Sequence, residues 1–439
     1  MGLLTFKGGI HPYDGKELSK DKPIKAIDPK GDLIYLMSQH IGAPAKPIVS
    51  VGDRVLVGQM IAEAGGFVSA PIHASVSGTV KAFGKQRNVV GDMVDCIIVE
   101  NDGLYEECEY EPLESLERAE KAEVLDRIRK AGIVGMGGAG FPTHVKLSPN
   151  DPDKIEYCIV NGAECEPYLT SDYRRMLENP ELVIGGLKCM LKLFDSAVGY
   201  ICIEDNKPDC IRKMEELVKD ESRIQVKAMQ TKYPQGAERS LIYAATGRTI
   251  NSSMLPADAG CIVDNVDTVV AIYKAVMLGQ PLIRRIVTVT GEAVNNPQNF
   301  EVRTGTNYVE LPDHAGGLNC DPEKIVSGGP MMGFALYDLN VPVTKTSSAL
   351  LFLKEDQVTK YDQTACINCG RCVSACPAHL VPAHLVNYAT IKDEERFVKY
   401  DGMECCECGS CSYICPAKRP LAQYIKSMRR MVLANRKKK

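Results

Sequence analysis

Two cysteine runs near the C-terminus constrain the fold of this chain more than any other feature. Both follow the pattern CxxCxxCxxxCP, and their members are Cys366, Cys369, Cys372 and Cys376, followed by Cys405, Cys408, Cys411 and Cys415. Thiolates at this tight spacing bind [4Fe–4S] clusters, and in the two-cluster pattern the fourth cysteine of each run binds the other cluster. The predicted ligand sets are therefore Cys366, Cys369, Cys372 and Cys415 for one cluster, and Cys405, Cys408, Cys411 and Cys376 for the second.

The remaining cysteines fit this interpretation. Zinc knuckles are the alternative for the two runs, but zinc sites present two CxxC pairs and require neither a third CxxC step nor a CP ending. Cys406 lies inside the second run but off its register, and we predict that it is not a ligand. Eight of the 18 cysteines lie in the two runs, and the other ten are scattered among apolar neighbours. This distribution indicates metal ligation in a reducing compartment rather than disulfides.

The overall composition is that of an ordinary globular protein. The 439 residues are 45% hydrophobic and 25% charged, enough for about three domains with cores of their own. A net charge of -4 gives no indication of a nucleic-acid partner. Apolar runs such as TVVAIYKAVML are shorter than the roughly 20 residues of a membrane span, and the N-terminus lacks the pattern of a signal peptide. We therefore expect a cytosolic chain with at most peripheral membrane contact.

Short β-rich runs separated by GD, GQ and SG turns occupy residues 44–100 and predict a small all-β unit. The stretch VSVGDRVLVGQMIAEAGGFVSAPIHASVSGTV resembles the lipoyl and biotinyl barrel-sandwich domains, which carry a cofactor on a lysine at a hairpin tip. Here the corresponding stretch, IHASVSG, contains no lysine. We therefore expect a structural role for this unit, and a swinging carrier arm is the alternative.

The middle third alternates predicted helices and strands. The stretch LESLERAEKAEVLDRIRKAG places Leu113, Leu116 and Leu125 at near-helical spacing, and Gly132 predicts the end of this helix. The runs IEYCIVNG, AVGYICIED and RIQVKAMQ then alternate with helical patterns, which is typical of an α/β domain with a parallel sheet. From Ile283 short strands and turns return, and they predict a small β-grasp-like module before the cysteine region.

A glycine loop follows the first predicted helix of the α/β region. Gly135, Gly137 and Gly140 have the GxGxxG spacing of dinucleotide folds, but that fingerprint requires a strand before the glycines and a helix after them. Here a helix precedes them, and a Phe-Pro pair that disfavours helix follows. The segment is then a flexible loop whose backbone N–H groups can approach a phosphate or a planar ring, with Lys146 available for a phosphate charge. A purely structural turn is the alternative.

Four blocks resemble, in order and spacing, the flavin- and NADH-binding subunit of respiratory complex I. They are GMGGAGFPTHVKL, VNGAECEP, YPQGAERSLIYAATG and VDNVDT. The resemblance implies that Asn161 and Glu164 contact the ribityl chain and ring edge of FMN, and that Asp264 and Asn265 approach FMN from the next loop. The other residues that it places around FMN are Gly135, Gly137, Gly138, Gly140, Lys146 and Gly236.

The same resemblance implies an NAD(H) site. It places Phe141 near the nicotinamide or adenine, and Glu166 and Glu238 at the ribose or in the wall of the pocket. Hydride exchange between NADH and a flavin needs no general acid or base from the protein, so no residue is assigned a certain catalytic role.

The chain also departs from the complex I family at three flavin contacts. Met136 stands where that family has arginine, Ala163 where it has aspartate, and Ala237 where it has glutamate. In addition, the single C-terminal cluster motif of that family is replaced here by the two cysteine runs.

Over nearly its whole length the chain closely resembles the RnfC family, which supplies one subunit of the Rnf complex, the ferredoxin:NAD oxidoreductase of bacterial and archaeal membranes. The resemblance rests on an N-terminal FKGGIHP, the β unit, the glycine block, the β-grasp module and the double cysteine motif, in that order. It implies a multidomain α/β and α+β protein. The implied parts are a barrel-sandwich hybrid β domain (residues 1–110), a Rossmann-like FMN/NADH domain of the complex I 51 kDa type (111–282), an SLBB-like β-grasp module (283–355), a helical ferredoxin-like domain with two [4Fe–4S] clusters (356–425) and a basic tail (426–439).

The implied function is hydride exchange between NADH and FMN, with single electrons carried by the two clusters, which couples ferredoxin:NAD+ oxidoreduction to Na+ or H+ transport. The implied partners are NADH or NAD+ and the membrane and iron–sulfur subunits of the complex. Through those subunits the chain would be held, as a peripheral protein, on the cytoplasmic side of the cell membrane. The alternatives are a soluble flavin and iron–sulfur cobalamin reductase of the metabolosome type, and a non-catalytic cluster relay that binds no nucleotide.

The C-terminal tail is basic. Its cationic residues are Arg429, Arg430, Arg436 and Lys437 to Lys439. Docking on an anionic membrane face or on an acidic partner subunit is the functional interpretation, and a solvated helix end is the alternative.

Overall fold

In the computed structural model, which describes residues 3–438, the N-terminal domain is a sandwich of short strands. The first eight strands of the chain are β1 (Lys25–Ala26), β2 (Leu33–Leu36), β3 (Lys46–Pro47), β4 (Arg54–Val55), β5 (Met60–Glu63), β6 (Ile72–His73), β7 (Gly78–Arg87) and β8 (Met93–Asn101). One antiparallel sheet has the order β2-β8-β7-β4 and a second has the order β3-β5-β6. Both sheets contribute to one apolar core, which includes Tyr35, Val55, Ile61 and Ile97.

The second domain contains a parallel sheet with helices on both faces. Its strands are β9 (Tyr157–Gly162), β10 (Val198–Glu204), β11 (Ile224–Met229) and β12 (Cys261–Asn265). Its helices are α1 (Lys121–Lys130), α2 (Thr143–Lys146), α3 (Ser171–Glu178), α4 (Pro180–Leu193), α5 (Pro208–Leu217), α6 (Glu238–Thr246) and α7 (Val266–Leu278). Alternate residues of β9 enter different cores, because Val160 packs with α4 and α7 whereas Ile159 packs with Leu241 and Ile242 of α6.

The strand order of this sheet creates a crevice. The order is β11-β10-β9-β12, and every pair is parallel. The chain moves from β9 through β10 to β11 in one direction, and β12 then lies on the other side of β9. In open α/β sheets ligands bind at such a reversal, outside the carboxyl ends of the strands. The fold therefore places a candidate binding site at the carboxyl ends of β9 and β12.

The first helix of this domain is shorter than the leucine spacing predicts. We expected a helix from Leu113, whereas α1 begins at Lys121. The backbone before Lys121 is used by other elements: the Leu113 N–H donates to the Met277 carbonyl (3.0 Å), and Lys192 donates to the Glu117 carbonyl (2.8 Å). Leu113 and Leu116 still pack against the core, but from a non-helical segment.

The third domain is a mixed sheet with one short helix. Its elements are β13 (Arg284–Thr290), β14 (Gln298–Arg303), α8 (Leu311–His314), β15 (Lys324–Ser327), β16 (Phe334–Ala335) and β17 (Ala349–Leu353). The order of the sheet is β1-β14-β13-β17-β15-β16, with β13 parallel to β17. Its edge strand β1 comes from the N-terminal segment of the chain and runs parallel to β14. The predicted β-grasp module thus has an additional strand.

The C-terminal domain is helical. Its helices are α9 (Arg371–Ala375), α10 (Pro382–Thr390), α11 (Glu394–Lys399), α12 (Ser410–Tyr413) and α13 (Leu421–Lys438). The predicted boundary at residue 425 falls inside α13, because Met428 and Val432 are buried in the same core as Leu385. Arg429 and Lys426 form ion pairs with Glu407. The side chains of Lys437 to Lys439 lie outside the described residues.

The N-terminal segment contacts the second and the C-terminal domains. Leu4 forms a bridge with Met229 and Ile10 forms a bridge with Tyr233, both in the second domain. The Gly9 N–H donates to the Ala375 carbonyl of the C-terminal domain (2.9 Å). Across residues 3–438, none of the helices has the length and apolar character that crossing a membrane requires.

Candidate functional site

Two asparagines lie side by side at the crevice of the parallel sheet. Asn161 of β9 and Asn265 of β12 are register partners at the carboxyl ends of neighbouring strands. The Asn265 side chain accepts from the Asp267 N–H (2.9 Å) and so caps α7, while its amide donates to Asp172 (2.6 Å). The Asn161 amide donates to the Gly236 carbonyl (2.8 Å). The second, third and fourth sequence blocks therefore meet at this edge.

The glycine loop covers the same crevice. No strand precedes it, because α1 ends at Lys130, and the loop is closed by a bond from the Gly135 N–H to the Phe141 carbonyl (2.9 Å). This context agrees with the interpretation that it is not a Rossmann turn. A Cβ on Gly137 would lie 2.8 Å from the Cβ of Asn265, so only glycine permits this approach of loop and strand. Gly140 has φ +72°, which also favours glycine.

Gly138, Phe141 and Glu238 are three further predicted site residues. A Cβ on Gly138 would meet nothing within 4 Å, so there is open space above the loop. Phe141 is half-buried at the end of the loop. Glu238 is the first residue of α6, and its side chain is solvent-accessible.

Lys146 brings a cation to the crevice. From α2 it donates to the Val263 carbonyl (2.7 Å) and to Asp264 Oδ1 (3.1 Å). Burial lowers the pKa of Lys146, but the charges of Asp264 and Glu238 outweigh burial and raise that pKa overall. Lys146 is therefore charged at neutral pH. Burial raises the pKa of Asp264, although Lys146 opposes that change.

Two of the predicted glutamates are held by backbone N–H groups. Glu164 accepts from the Asp172 N–H (2.7 Å) and the Tyr173 N–H (3.3 Å) in the first turn of α3. Glu166 accepts from the N–H groups of Met331 and Met332 (2.7 and 3.0 Å), which belong to the third domain. Burial raises the pKa of both carboxyls. Glu164 therefore bonds the first turn of α3, and Glu166 bonds the third domain. Both carboxylates are also candidate ligand contacts.

The side chains at the crevice fit a flavin. Asp264 Oδ2 is buried and has no hydrogen-bond partner among the described residues. A buried acceptor without a partner is costly, so it indicates a polar ligand. The loop backbone, the open space above Gly138, the Lys146 ammonium and the two asparagine amides are the features that a phosphate, a ribityl chain and a planar ring require.

Several contributors to the site were not predicted from the sequence. Asp172 accepts from Asn265, and its pKa is raised to about 7 by burial and by the charges of Glu164 and Asp267. Arg285 of β13 contacts the sulfur of Met136 and forms an ion pair with Asp267. The guanidinium of Arg285 thus lies beside the position where the complex I family has its own arginine. No local pattern marks these residues, because they come from separate segments.

Four cysteines from two runs line one cavity in the C-terminal domain. These cysteines are Cys376, Cys405, Cys408 and Cys411, and the cavity that they line is small. They are the ligand set predicted for the second cluster, with Cys376 supplied by the first run. Four thiols around one cavity fit a [4Fe–4S] cluster. We call this set the buried cysteine centre; Cys406 also lines its wall.

The other predicted set is more open to solvent. Cys366 and Cys369 are exposed, whereas Cys372 and Cys415 are partly buried. Burial raises the pKa of Cys372, and the nearby Cys415 thiol contributes to this shift. We call these four residues the exposed cysteine centre. Across residues 3–438, no three His, Cys, Asp or Glu side chains converge as ligands of a single metal ion.

The buried cysteine centre lies against the second domain, which contains the crevice. The Tyr233 hydroxyl donates to the Cys408 carbonyl (2.7 Å). Arg239 of α6 forms an ion pair with Glu404 (2.9 Å), directly before Cys405. Tyr233 and Gly236 belong to one sequence block, so a short segment connects the buried cysteine centre to Asn161.

Comparison with protein families matches four consecutive parts of the chain. Residues 4–104 match the RnfC barrel sandwich hybrid domain and residues 128–274 match the Nuo51 FMN-binding domain. Residues 286–335 match the SLBB domain and residues 359–416 match the 4Fe-4S dicluster domain. These matches confirm the predicted fold class and the predicted succession of domain types.

Relatives of known name match the chain over most of its length. It is 43% identical over 436 residues to the C subunit of the Na(+)-translocating ferredoxin:NAD(+) oxidoreductase complex of Acetobacterium woodii, covering 99% of this chain and 98% of the relative. It is 46% identical over 385 residues to the proton-translocating counterpart of Clostridium ljungdahlii, covering 87% and 84%. A solved structure of an NAD+-reducing [NiFe]-hydrogenase shares the fold, with a TM-score of 0.50 and 16% identity over 74% of this chain and 63% of that one.

Fold, site and domain matches together define an electron-transfer protein that combines an FMN-binding domain with two [4Fe–4S] centres. Within that class, the chain belongs to the RnfC family, the C subunits of the ion-translocating ferredoxin:NAD+ oxidoreductase complexes known as Rnf complexes.

Proposed function

We propose that this chain is the NAD(H)-reacting subunit of an Rnf complex, with FMN at the crevice of the parallel sheet and a [4Fe–4S] cluster at each cysteine centre. One observation carries the proposal. The four flavin-type blocks converge at the carboxyl ends of β9 and β12, and the third block also contacts Cys408 of the buried cysteine centre. Flavin site and cluster site are thus joined by direct contacts.

When bound, FMN supplies the conversion between hydride transfer and single-electron transfer, and the clusters supply one-electron carriage. The residues of the protein bind FMN and the nucleotide and orient them. The glycine loop presents backbone N–H groups, Lys146 supplies a positive charge for the phosphate, and Asn161 and Asn265 fix the orientation of the ring and ribityl chain. Phe141 supplies an aromatic surface for the nicotinamide or adenine, and Glu166 and Glu238 shape the ribose pocket.

The two cysteine centres have different roles in this proposal. The buried centre contacts the second domain and would hold the cluster that exchanges electrons with the flavin. Cys366 and Cys369 are exposed, so the other centre would hold the cluster that faces a partner. The partner is an iron–sulfur or membrane subunit of the same complex. Through these groups the chain takes part in ferredoxin:NAD+ oxidoreduction, coupled to transport of Na+ or H+, and electrons can pass in either direction. The chain lies on the cytoplasmic side of the membrane and is attached through its partner subunits.

Anaerobic reconstitution with iron, sulfide and FMN tests the proposal. The protein should bind FMN and two [4Fe–4S] clusters, and NADH should bleach the flavin absorbance. Cys366→Ala should lose one cluster and keep NADH-dependent flavin bleaching. A protein that takes up both clusters but neither binds FMN nor responds to NADH would overturn the proposal in favour of a non-catalytic relay.

A further inference from the structure

Ser410 places a hydroxyl in the wall of the buried cysteine centre. It is the first residue of α12, it is fully buried, and it lines the same cavity as the four cysteines. Its Oγ lies 3.4 Å from Cys408 Sγ, and across residues 3–438 this sulfur is the one hydrogen-bond partner of the hydroxyl. The Ser410 side chain is therefore directed at a predicted cluster ligand.

The direction of this hydrogen bond follows from the chemistry of a bound cluster. A free Cys408 thiol can donate to the Ser410 hydroxyl, but a cluster ligand is a thiolate, which has no proton and can only accept. A buried donor without an acceptor costs about 1–3 kcal/mol. The Ser410 O–H then donates to the Cys408 sulfur. The Cys406 thiol lines the same cavity, but a thiol is a weaker donor than a hydroxyl.

The exposed cysteine centre has an arginine at the matching position. Gly370 and Gly409 each precede a short helix of their cysteine run, and both have a left-handed backbone with φ of +73° and +79°. The next residue is the exposed Arg371 in the first run and the buried Ser410 in the second. The hydroxyl is thus a local difference between the two centres.

We propose that the Ser410 hydroxyl donates to the Cys408 ligand sulfur and thereby raises the reduction potential of the buried cluster. Reduction adds one electron to the cluster, and its ligand sulfurs become more negative. A donor at such a sulfur therefore stabilises the reduced form more than the oxidised form. No bond forms or breaks, and the hydroxyl proton stays on Ser410. Ser410 is a positioning residue that acts through Cys408. This inference rests on the proposed function, because it deepens the assignment of that cluster.

Ser410→Ala is the test variant, and Ser412→Ala is the matched control in the same helix. The Ser412 hydroxyl accepts from the Ala422 N–H (2.8 Å) and bonds Gln423 (3.2 Å) instead of a cysteine. Both changes are made in the Cys366→Ala protein, which should keep the buried cluster alone, and the potential is titrated by electron paramagnetic resonance. We expect Ser410→Ala to lower the equilibrium constant for one-electron reduction about tenfold, which is a potential about 59 mV lower. Ser412→Ala should leave the potential unchanged.

Deuterium distinguishes a direct hydrogen bond from an effect of packing. After reconstitution in D2O, electron–nuclear double resonance should detect exchangeable deuterons coupled to the reduced buried cluster, and Ser410→Ala should weaken that signal. A potential equal to that of the parent, or a lower potential with an unchanged deuteron signal, would overturn the inference. Loss of the cluster in Ser410→Ala would also overturn it, because Ser410 would then serve cluster assembly. A Cys366→Ala parent that holds no cluster would instead refute the proposed function.

Discussion

At the scale of single residues, the proposed site predicts that flavin binding depends strongly on the charge of Lys146. We expect Lys146→Ala to weaken FMN by tenfold to a hundredfold, because hydrogen bonds to charged groups contribute about 1.5–3 kcal/mol. Both clusters should remain, because the contacts of Lys146 are confined to Val263, Asp264 and the crevice. Quenching of flavin fluorescence gives the affinity and iron analysis gives the clusters.

Lys154→Ala is the control for this change. Lys154 is exposed and bonds Asp151 (2.7 Å), away from the crevice, so its loss should leave FMN affinity unaltered. Equal FMN affinity in Lys146→Ala and wild type would contradict the assigned role.

Sequence reasoning placed some of the residues that meet at the crevice and missed others for a physical reason. Asn161 and Asn265 end predicted strands inside recognisable blocks, so local pattern and resemblance locate them. Asp172 and Arg285 reach the site by packing of separate segments, and local periodicity carries no information about such contacts. Gln235 lies inside a recognised block, but its complete burial without a hydrogen-bond partner among the described residues is visible only in the folded chain.

At the scale of elements, the start of β6 in the barrel-sandwich domain is joined to the second and third domains by buried hydrogen bonds. The buried Lys345 ammonium donates to the Pro71 carbonyl beside β6 (2.5 Å) and to the Gly132 carbonyl before the glycine loop (2.7 Å). Burial lowers the pKa of Lys345 to about 7. Burial lowers the pKa of the neighbouring His73 to about 3, with a contribution from the charge of Lys345. These contacts support the expected structural role of a barrel unit without a carrier lysine.

The buried Lys345 side chain predicts a pH dependence of the free energy of unfolding. Between about pH 7 and the ordinary lysine pKa of 10.5, the unfolded chain binds a proton at Lys345 that the folded chain has released, so stability rises with pH. Relative to Lys345→Met, the wild type should gain up to about 3 kcal/mol between about pH 7 and about pH 9.5. Thermal unfolding of both proteins across this range measures the difference. A difference that does not vary with pH would contradict the assignment.

Helices and strands could be predicted where the local sequence pattern determines them. They could not be predicted where contacts between distant segments determine them. The strands of the parallel sheet follow from apolar runs bounded by turns. The start of α1 was misjudged because the Leu113 N–H bonds to Met277, and a leucine spacing does not show such a contact. The pairing of β1 with β14 joins residues 25–26 to 300–301, and no local signal indicates it.

At the scale of the whole molecule, the proposed function makes the chain an electron path from NAD(H) through the flavin and the clusters to a partner subunit. The succession of domains could be predicted, because each domain type has its own sequence pattern and the two cysteine runs imply shared clusters. The distance between sites could not be predicted. The contact of Tyr233 with Cys408, 175 residues apart, brings the buried cysteine centre against the second domain, and it arises only from packing.

The most direct test of this path follows cluster reoxidation by NAD+ in two matched cysteine variants. Cys405→Ala removes the buried cluster and Cys366→Ala removes the exposed one. Each protein is reduced with stoichiometric dithionite, mixed with NAD+ and freeze-quenched for electron paramagnetic resonance. The account predicts fast reoxidation of the buried cluster in Cys366→Ala and at least tenfold slower reoxidation of the exposed cluster in Cys405→Ala. Equally fast reoxidation in both variants would contradict it.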